Sequence, residues 1–184
     1  MKAIRKRHPG CRIEIWFQDE TRIGQQGYLT RHWGLRGLRL TVPRQMEYQW
    51  VYGFGAICPQ TGNAVALVVP EVNTAMMNRL LQELSDAVAP EVHVILVLDR
   101  AAWHRSQGLR AFPNITLLHL PPYSPELNPI ERVWAYLKSH YLAHQVYGNY
   151  DAIVETVCWA WNQFRQQIAL IQSLTSEPWF MLHS

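Results

Sequence analysis

The chain has 184 residues, 48% of them apolar, with eight tryptophans and a formal net charge of +3. That balance excludes intrinsic disorder, and at this length one domain with a real core is the default. No run approaches a membrane span, no apolar signal segment follows the basic start MKAIRKRHPG, and Cys11, Cys58 and Cys158 show neither disulfide-framework nor zinc-site spacing, so an intracellular chain with reduced thiols is expected.

RIEIWFQDE alternates. Ile13, Ile15 and Phe17 share a face and Asp19 follows in phase, which predicts a strand that delivers an acid at its carboxyl end. Glu20, beside it, is the alternative acid. RHWGLRGLRLTVPR interleaves Arg31, Arg36, Arg39 and Arg44 with Trp33 and glycines. Such a loop suits a nucleic-acid backbone, and a solvated surface loop accounts for it equally well. WVYGFGAIC and NAVALVVP flank PQTG and read as a hairpin. NTAMMNRLLQELSDAV predicts a helix capped near Asn73 or Thr74, with Met76, Met77, Leu80, Leu81, Leu84 and Val88 on its core side.

VHVILVLD is nearly all apolar, as in a central strand buried on both faces, and it ends in a second acid, Asp99. A short helical segment near 105–111 and a strand at ITLLHL follow. In LPPYSPELNPIERVWAYLK, Asn128 suits an N-cap and Pro129 the first helical position. Ile130, Val133, Trp134, Leu137 and Tyr141 form the apolar face, and Trp134, Trp159 and Trp161 read as core. Glu131 stands at capping-box spacing from Asn128, so closing the cap competes with chemistry as its role. A last helix over roughly 150–168 turns Ile153, Val157, Trp161, Phe164 and Ile168 inward. The order predicts an α/β sheet, antiparallel in its first part and parallel in its second. It divides into a basic segment 1–11, a domain 12–170 and a tail 171–184.

Ligands of open α/β sheets bind beyond the carboxyl ends of strands. Asp19 and Asp99 converge there if their strands are neighbours, and a divalent cation relieves their repulsion. Mg²⁺ and Mn²⁺ prefer oxygen ligands. A third acid on a rigid helix, Glu131, would complete a two-metal site with cations about 3.5–4 Å apart.

FQDET, LVLDRAAWH and YSPELNPIERVW, in that order, resemble the catalytic domain of the DDE transposases, in the bacterial insertion-sequence branch related to mariner elements. The resemblance runs from about Arg12 to about Phe164. It implies an RNase H-like fold, a mixed five-stranded sheet flanked by helices, with Asp19, Asp99 and Glu131 as catalytic ligands of Mg²⁺ or Mn²⁺. It further implies metal-dependent cleavage of DNA at element ends and transfer of the freed 3′-hydroxyl into target DNA. The working form would be a homodimer assembled on DNA in the bacterial cytoplasm at the nucleoid, with no membrane partner. Arg22, Arg100, His104 and Lys138 are the residues expected to meet nucleic acid.

The chain departs from that family's pattern in two places. Arg100 stands where the second motif usually has Asn, and its guanidinium could contact phosphate or weaken metal binding. The segment before Arg12 is too short for the usual helix-turn-helix modules, which is expected of a truncated copy or of the second half of a split reading frame. A catalytically decayed remnant that binds DNA or dimerises is therefore the competing reading. An RNase H-type ribonuclease or a retroviral-type integrase competes within the same fold.

Overall fold

A computed structural model describes residues 2–26, 28, 35–37, 41, 45–122 and 124–176. Its centre is the apolar run predicted from sequence, strand β4 (Val92–Leu98), buried along its whole length. A strand with both faces apolar must be covered on both sides. Here β4 lies between β1 (Arg12–Gly24) and β5 (Ile115–His119), parallel to both. β2 (Trp50–Ile57) pairs antiparallel with β1, and β3 (Ala64–Val69) pairs antiparallel with β2, giving the five-stranded order β3-β2-β1-β4-β5. The hairpin, the central strand and the mixed sheet are as expected. β1 is longer than the alternating pattern suggested and runs to Gly24, so Asp19 lies in its interior.

Strand alternation splits the core into two layers. Trp16, Phe54, Val94 and Leu96 pack against Met77, Leu80, Leu81 and Leu84 of helix α2 (Thr74–Ala87), whose N-cap Asn73 accepts from Met76 N. A short helix α1 (Lys2–Arg7), unexpected from sequence, precedes β1. On the other face, Phe17, Ile23, Val51 and Val97 meet α3 (Ile130–His140), α4 (Tyr150–Arg165) and α5 (Ile168–Thr175). Phe17 and Val97 thus share the face that α3 covers.

The helix expected near 105–111 is absent. A 3₁₀ turn at Ala102–His104 and a looser turn replace it, because Asn78 of α2 takes the loop's backbone groups for itself. Asn78 donates to Gly108 O at 2.9 Å and accepts from Arg110 N at 2.9 Å. The last predicted helix is two helices that part at Gln166 and Gln167, and Ile168 opens α5 instead of closing α4. The expected boundary after residue 170 falls inside α5, where Ile171 and Thr175 are buried. Of the basic loop, Arg31, Trp33, Arg39 and Arg44 lie outside the described residues, and Arg36 is exposed.

The β2–β3 turn docks on the start of α5. Gly62 holds φ +73°, and a Cβ there would stand 2.6 Å from Ile168 Cγ2 and 2.9 Å from the Ile168 carbonyl. Both the backbone conformation and the contact require glycine. Gly62→Ala is expected to cost roughly 1–3 kcal/mol, seen as a lower midpoint in urea unfolding.

Candidate active site

The register of the parallel pair brings the first two acids together. Phe17 pairs with Val97, the last contact of β1 with β4. Asp19 and Asp99 each lie two residues further on, so both keep the face of Phe17 and Val97. They stand where β4 releases β1, while β1 continues against β2 with Asp19 opposite Gly55. The first turn of α3 crosses this point. Asp19, Asp99 and Glu131 line one cleft of about 570 Å³, together with Asn128, Arg100, Arg105 and the proline-rich segment. Glu20, the alternative acid, alternates to the other face of β1.

The start of α3 differs from the sequence expectation. Asn128 is not its N-cap. Pro129 takes that position, with no side-chain cap. Asn128 N donates to Pro125 O at 2.8 Å, so Glu131 does not close a capping box. The buried Asn128 amide instead donates to Gln18 O at 2.9 Å, tying the helix to the strand beside Asp19. The 3₁₀ turn Pro125–Leu127 supplies the N-terminal support that a cap would have given. Glu131 is left exposed at the cleft.

Trp134, expected as core, is core and also part of the site. Its Nε1 donates to Asp19 Oδ2 at 3.1 Å. His104 needs correction as a nucleic-acid contact. It is 1% exposed, its Nδ1 donates to Asp99 Oδ1 at 2.7 Å, and Ala101 N reaches the same oxygen at 2.9 Å. His119 Nε2 meets the carbonyl of His104 at 3.1 Å behind it. A buried imidazole with that partner orients an acid and offers nothing to a DNA backbone. Burial holds its pKa below the ordinary value, against the opposing pull of Asp99.

Of the other expected contacts, Arg100 lines the cleft and its Nε donates to Leu120 O at 3.0 Å. Lys138 sits 4.9 Å over the Tyr28 ring. Burial lowers its pKa, while Glu131 and Asp19 work to raise it. Arg22 lies elsewhere, 5.2 Å over the Trp50 ring, in a separate cleft with Tyr28 and Tyr48. Arg105, Asn128 and Trp134 were missed as site residues. Only Asn128 had a local signal, and that signal pointed to a cap.

The electrostatics are those of crowded acids. The Asp19 carboxyl is pushed up to about 8 by burial first, then by Glu131, Glu20 and Asp99. Glu20 is pushed up to about 7 by burial and then by Asp99. Among the described residues no three His, Cys, Asp or Glu side chains stand close enough to enclose a cation unaided. An all-oxygen acidic donor set still fits a hard divalent cation, which commonly takes one or two protein carboxylates and completes its shell with water or phosphate.

The family model for DDE superfamily endonucleases matches residues 14–154. An uncharacterised protein of Sinorhizobium fredii, y4pE/y4sA, is 41% identical over 130 residues, 71% of this chain and 96% of that protein. The uncharacterised 39 kDa protein of insertion element IS630 from Shigella sonnei is 26% identical over 140 residues, 73% of this chain and 41% of that protein. Among solved structures, the Mos1 mariner paired end complex with Mn superposes with TM-score 0.62 at 18% identity, over 88% of this chain and 53% of Mos1. The Mos1 transposase paired-end complex with left transposon end gives 0.61 at 20%, over 95% and 59%. The chain belongs to the DDE superfamily endonucleases. Its fold is that of the matched region of Mos1, and the chain spans about half the length of Mos1. No helix among the described residues is long and apolar enough to cross a membrane.

The raised acids make stability depend on pH. Asp19 moves from 3.8 to about 8 on folding, so the folded chain holds that proton more tightly than the unfolded chain. Its contribution is complete below about pH 4 and is lost as pH rises to about 8. Glu20 acts in the same direction up to about 7. Melting curves of the cation-free chain should therefore show Asp19→Asn raising Tm more at about pH 8 than at about pH 5. An equal gain at both pH values contradicts the raised carboxyl.

Proposed function

We propose that this chain is the core of a DNA transposase that cleaves phosphodiester bonds at element ends and joins the freed 3′-hydroxyl to target DNA. The observation that carries this reading is the meeting of Asp19, Asp99 and Glu131 at one cleft, from two strands and a helix. We assign the three carboxylates as ligands of Mg²⁺ or Mn²⁺. Two such cations would activate the attacking water or 3′-hydroxyl and steady the leaving oxygen. The Mos1 complexes with Mn and with Mg support that choice of ions, and the Mos1 complex with a transposon end supports DNA as the partner. The working form in this reading is a homodimer assembled on DNA.

The chain's own residues have distinct parts in this scheme. Asp99 is turned toward the cleft by the proton on His104 Nδ1, and Asp19 is held by the Trp134 indole. Asn128 locks α3, and with it Glu131, against β1. Arg100 and Arg105 flank Asp99 on the cleft wall and would bear on the DNA backbone, with Lys138 on the helix of Glu131. Arg100 is compatible with a working site, because its Nε is occupied by the Leu120 carbonyl. The decayed-remnant reading is not favoured, since all three acids are kept and face one cleft.

Glu131→Gln is expected to abolish Mn²⁺-dependent nicking of DNA while stability stays within about 0.5 kcal/mol of wild type, because the exposed side chain caps nothing. A nicking assay beside a melting curve checks both, and a fully active variant removes Glu131 from the ligand set. Arg105→Ala should weaken DNA binding and reduce the slope of log affinity against log salt by about 1. Fluorescence anisotropy over a salt series measures it, and an unchanged slope denies Arg105 a phosphate.

A further inference from the structure

We propose that Arg100, Arg105 and His119 form a pocket for one phosphate of the DNA strand, separate from the acid cleft and held by both arginines together. The inference rests on the DNA-cutting reading above and adds a place where the strand is gripped beside the cut. The two arginines line a second cavity of about 210 Å³, and His119 is its remaining wall. They also line the acid cleft, so the pair forms a partition between the two spaces. His119 fixes which side of the sheet the second space is on. It pairs with Leu98 across β4 and β5, and Leu98 belongs to the layer under α2. Asp99 keeps the face of Val97, under α3. β5 is the edge strand of the sheet, so the pocket lies round that edge from the acids.

The end of β5 holds both arginine-bearing segments. Arg100 Nε donates to Leu120 O at 3.0 Å, and the two Nη groups of the fork stand outside that bond. His119 Nε2 donates to His104 O at 3.1 Å, since a carbonyl only accepts. That bond ties β5 to the 3₁₀ turn before Arg105, and Arg105 N closes the turn on Ala102 O at 3.2 Å. Two guanidiniums that share a space repel, and no carboxylate lines this one. Asp99, beyond the partition, is bonded to His104 and Ala101. Among the described residues neither guanidinium is in an ion pair. An anion resolves such an arrangement, and the oxygens of a phosphate match the arginine fork. A strand whose scissile phosphate lies at Asp99 carries its next phosphate over the partition. Arg100 thereby contributes a charge that the usual Asn of the second motif lacks.

The test uses the whole 184-residue chain, a random-sequence DNA duplex and inorganic phosphate. DNA affinity is measured by fluorescence anisotropy over a salt series in wild type, Arg100→Gln, Arg105→Ala and the double variant. Each single variant is expected to weaken binding roughly 10-fold, the scale of a lost hydrogen bond to a charged group. The double variant should lose roughly 10-fold as well, and its slope of log affinity against log salt should fall by about 1, as for one phosphate. Losses that multiply, with a slope lowered by about 2, mean two separate phosphates and overturn the shared pocket. His119→Phe removes the tie to the turn and should weaken DNA binding as a single arginine variant does. His119→Gln, whose amide can still donate to His104 O, should restore it. Wild-type affinity in His119→Phe also overturns the pocket. Phosphorus NMR with inorganic phosphate separates the strand from a free ion. Phosphate that binds through the arginines while DNA affinity is equal in all variants overturns the DNA assignment. Coupled arginine losses in a chain whose Mn²⁺ uptake, read by electron paramagnetic resonance, survives Asp99→Asn support the pocket and overturn the cation site instead.

Discussion

The crowding of acids at one cleft, with Asp19 set deepest, is the constraint around which this chain is built. Burial first, and then the field of Glu131, Glu20 and Asp99, raises the Asp19 carboxyl to about 8. Such a cluster costs stability. The chain tolerates it by holding the acid-bearing elements with neutral donors: the Asn128 amide on Gln18 O, the Trp134 indole on Asp19 and the His104 imidazole on Asp99. A lysine or arginine in any of those places would have quenched the charge it positioned. Amide, indole and neutral imidazole fix direction and leave the negative charge for other cations to meet.

The sheet makes that arrangement rigid. A one-residue slip of β4 against β1 would move Val97 from the layer under α3 to the layer under α2 and break the packing of both. The same parity sends Asp19 and Asp99 to one side. The helix that carries Glu131 is then bolted to β1 by contacts on both sides of Asp19: Asn128 to Gln18, and Trp134 to Asp19 itself. The cleft's geometry is thus set by backbone pairing and ring packing, and its chemistry by side chains that this frame presents.

Period and burial made most of the frame legible in the sequence. The alternation that puts Ile15 and Phe17 on one face of β1, the apolar run of β4 and the helical stripe from Ile130 to Leu137 all match the burial in the fold. What escaped depended on partners far along the chain. Asn128 looks like a cap from its neighbours, yet its amide goes to a carbonyl 110 positions away. Trp134 looks like core, yet its N–H reaches an acid 115 positions away. The loop after Ala102 lost its helix to Asn78, some 30 positions earlier. His104 stands five positions after Asp99 in sequence, and its burial against that acid follows only from the folded loop. Local pattern carries propensity, and it carries no information on which distant group wins a hydrogen bond.

The long span between the cleft's two halves has a consequence for how the protein comes into being. Synthesis runs from the N-terminus, and β1 with its Asp19 leaves the ribosome more than a hundred residues before α3. During that interval the first acid has neither Trp134 nor Glu131 as a neighbour. Contacts of such separation are the slow ones to form. The cleft is therefore among the last parts of the fold to close, and a half-made or prematurely terminated chain carries the strand of the site without its cutting edge.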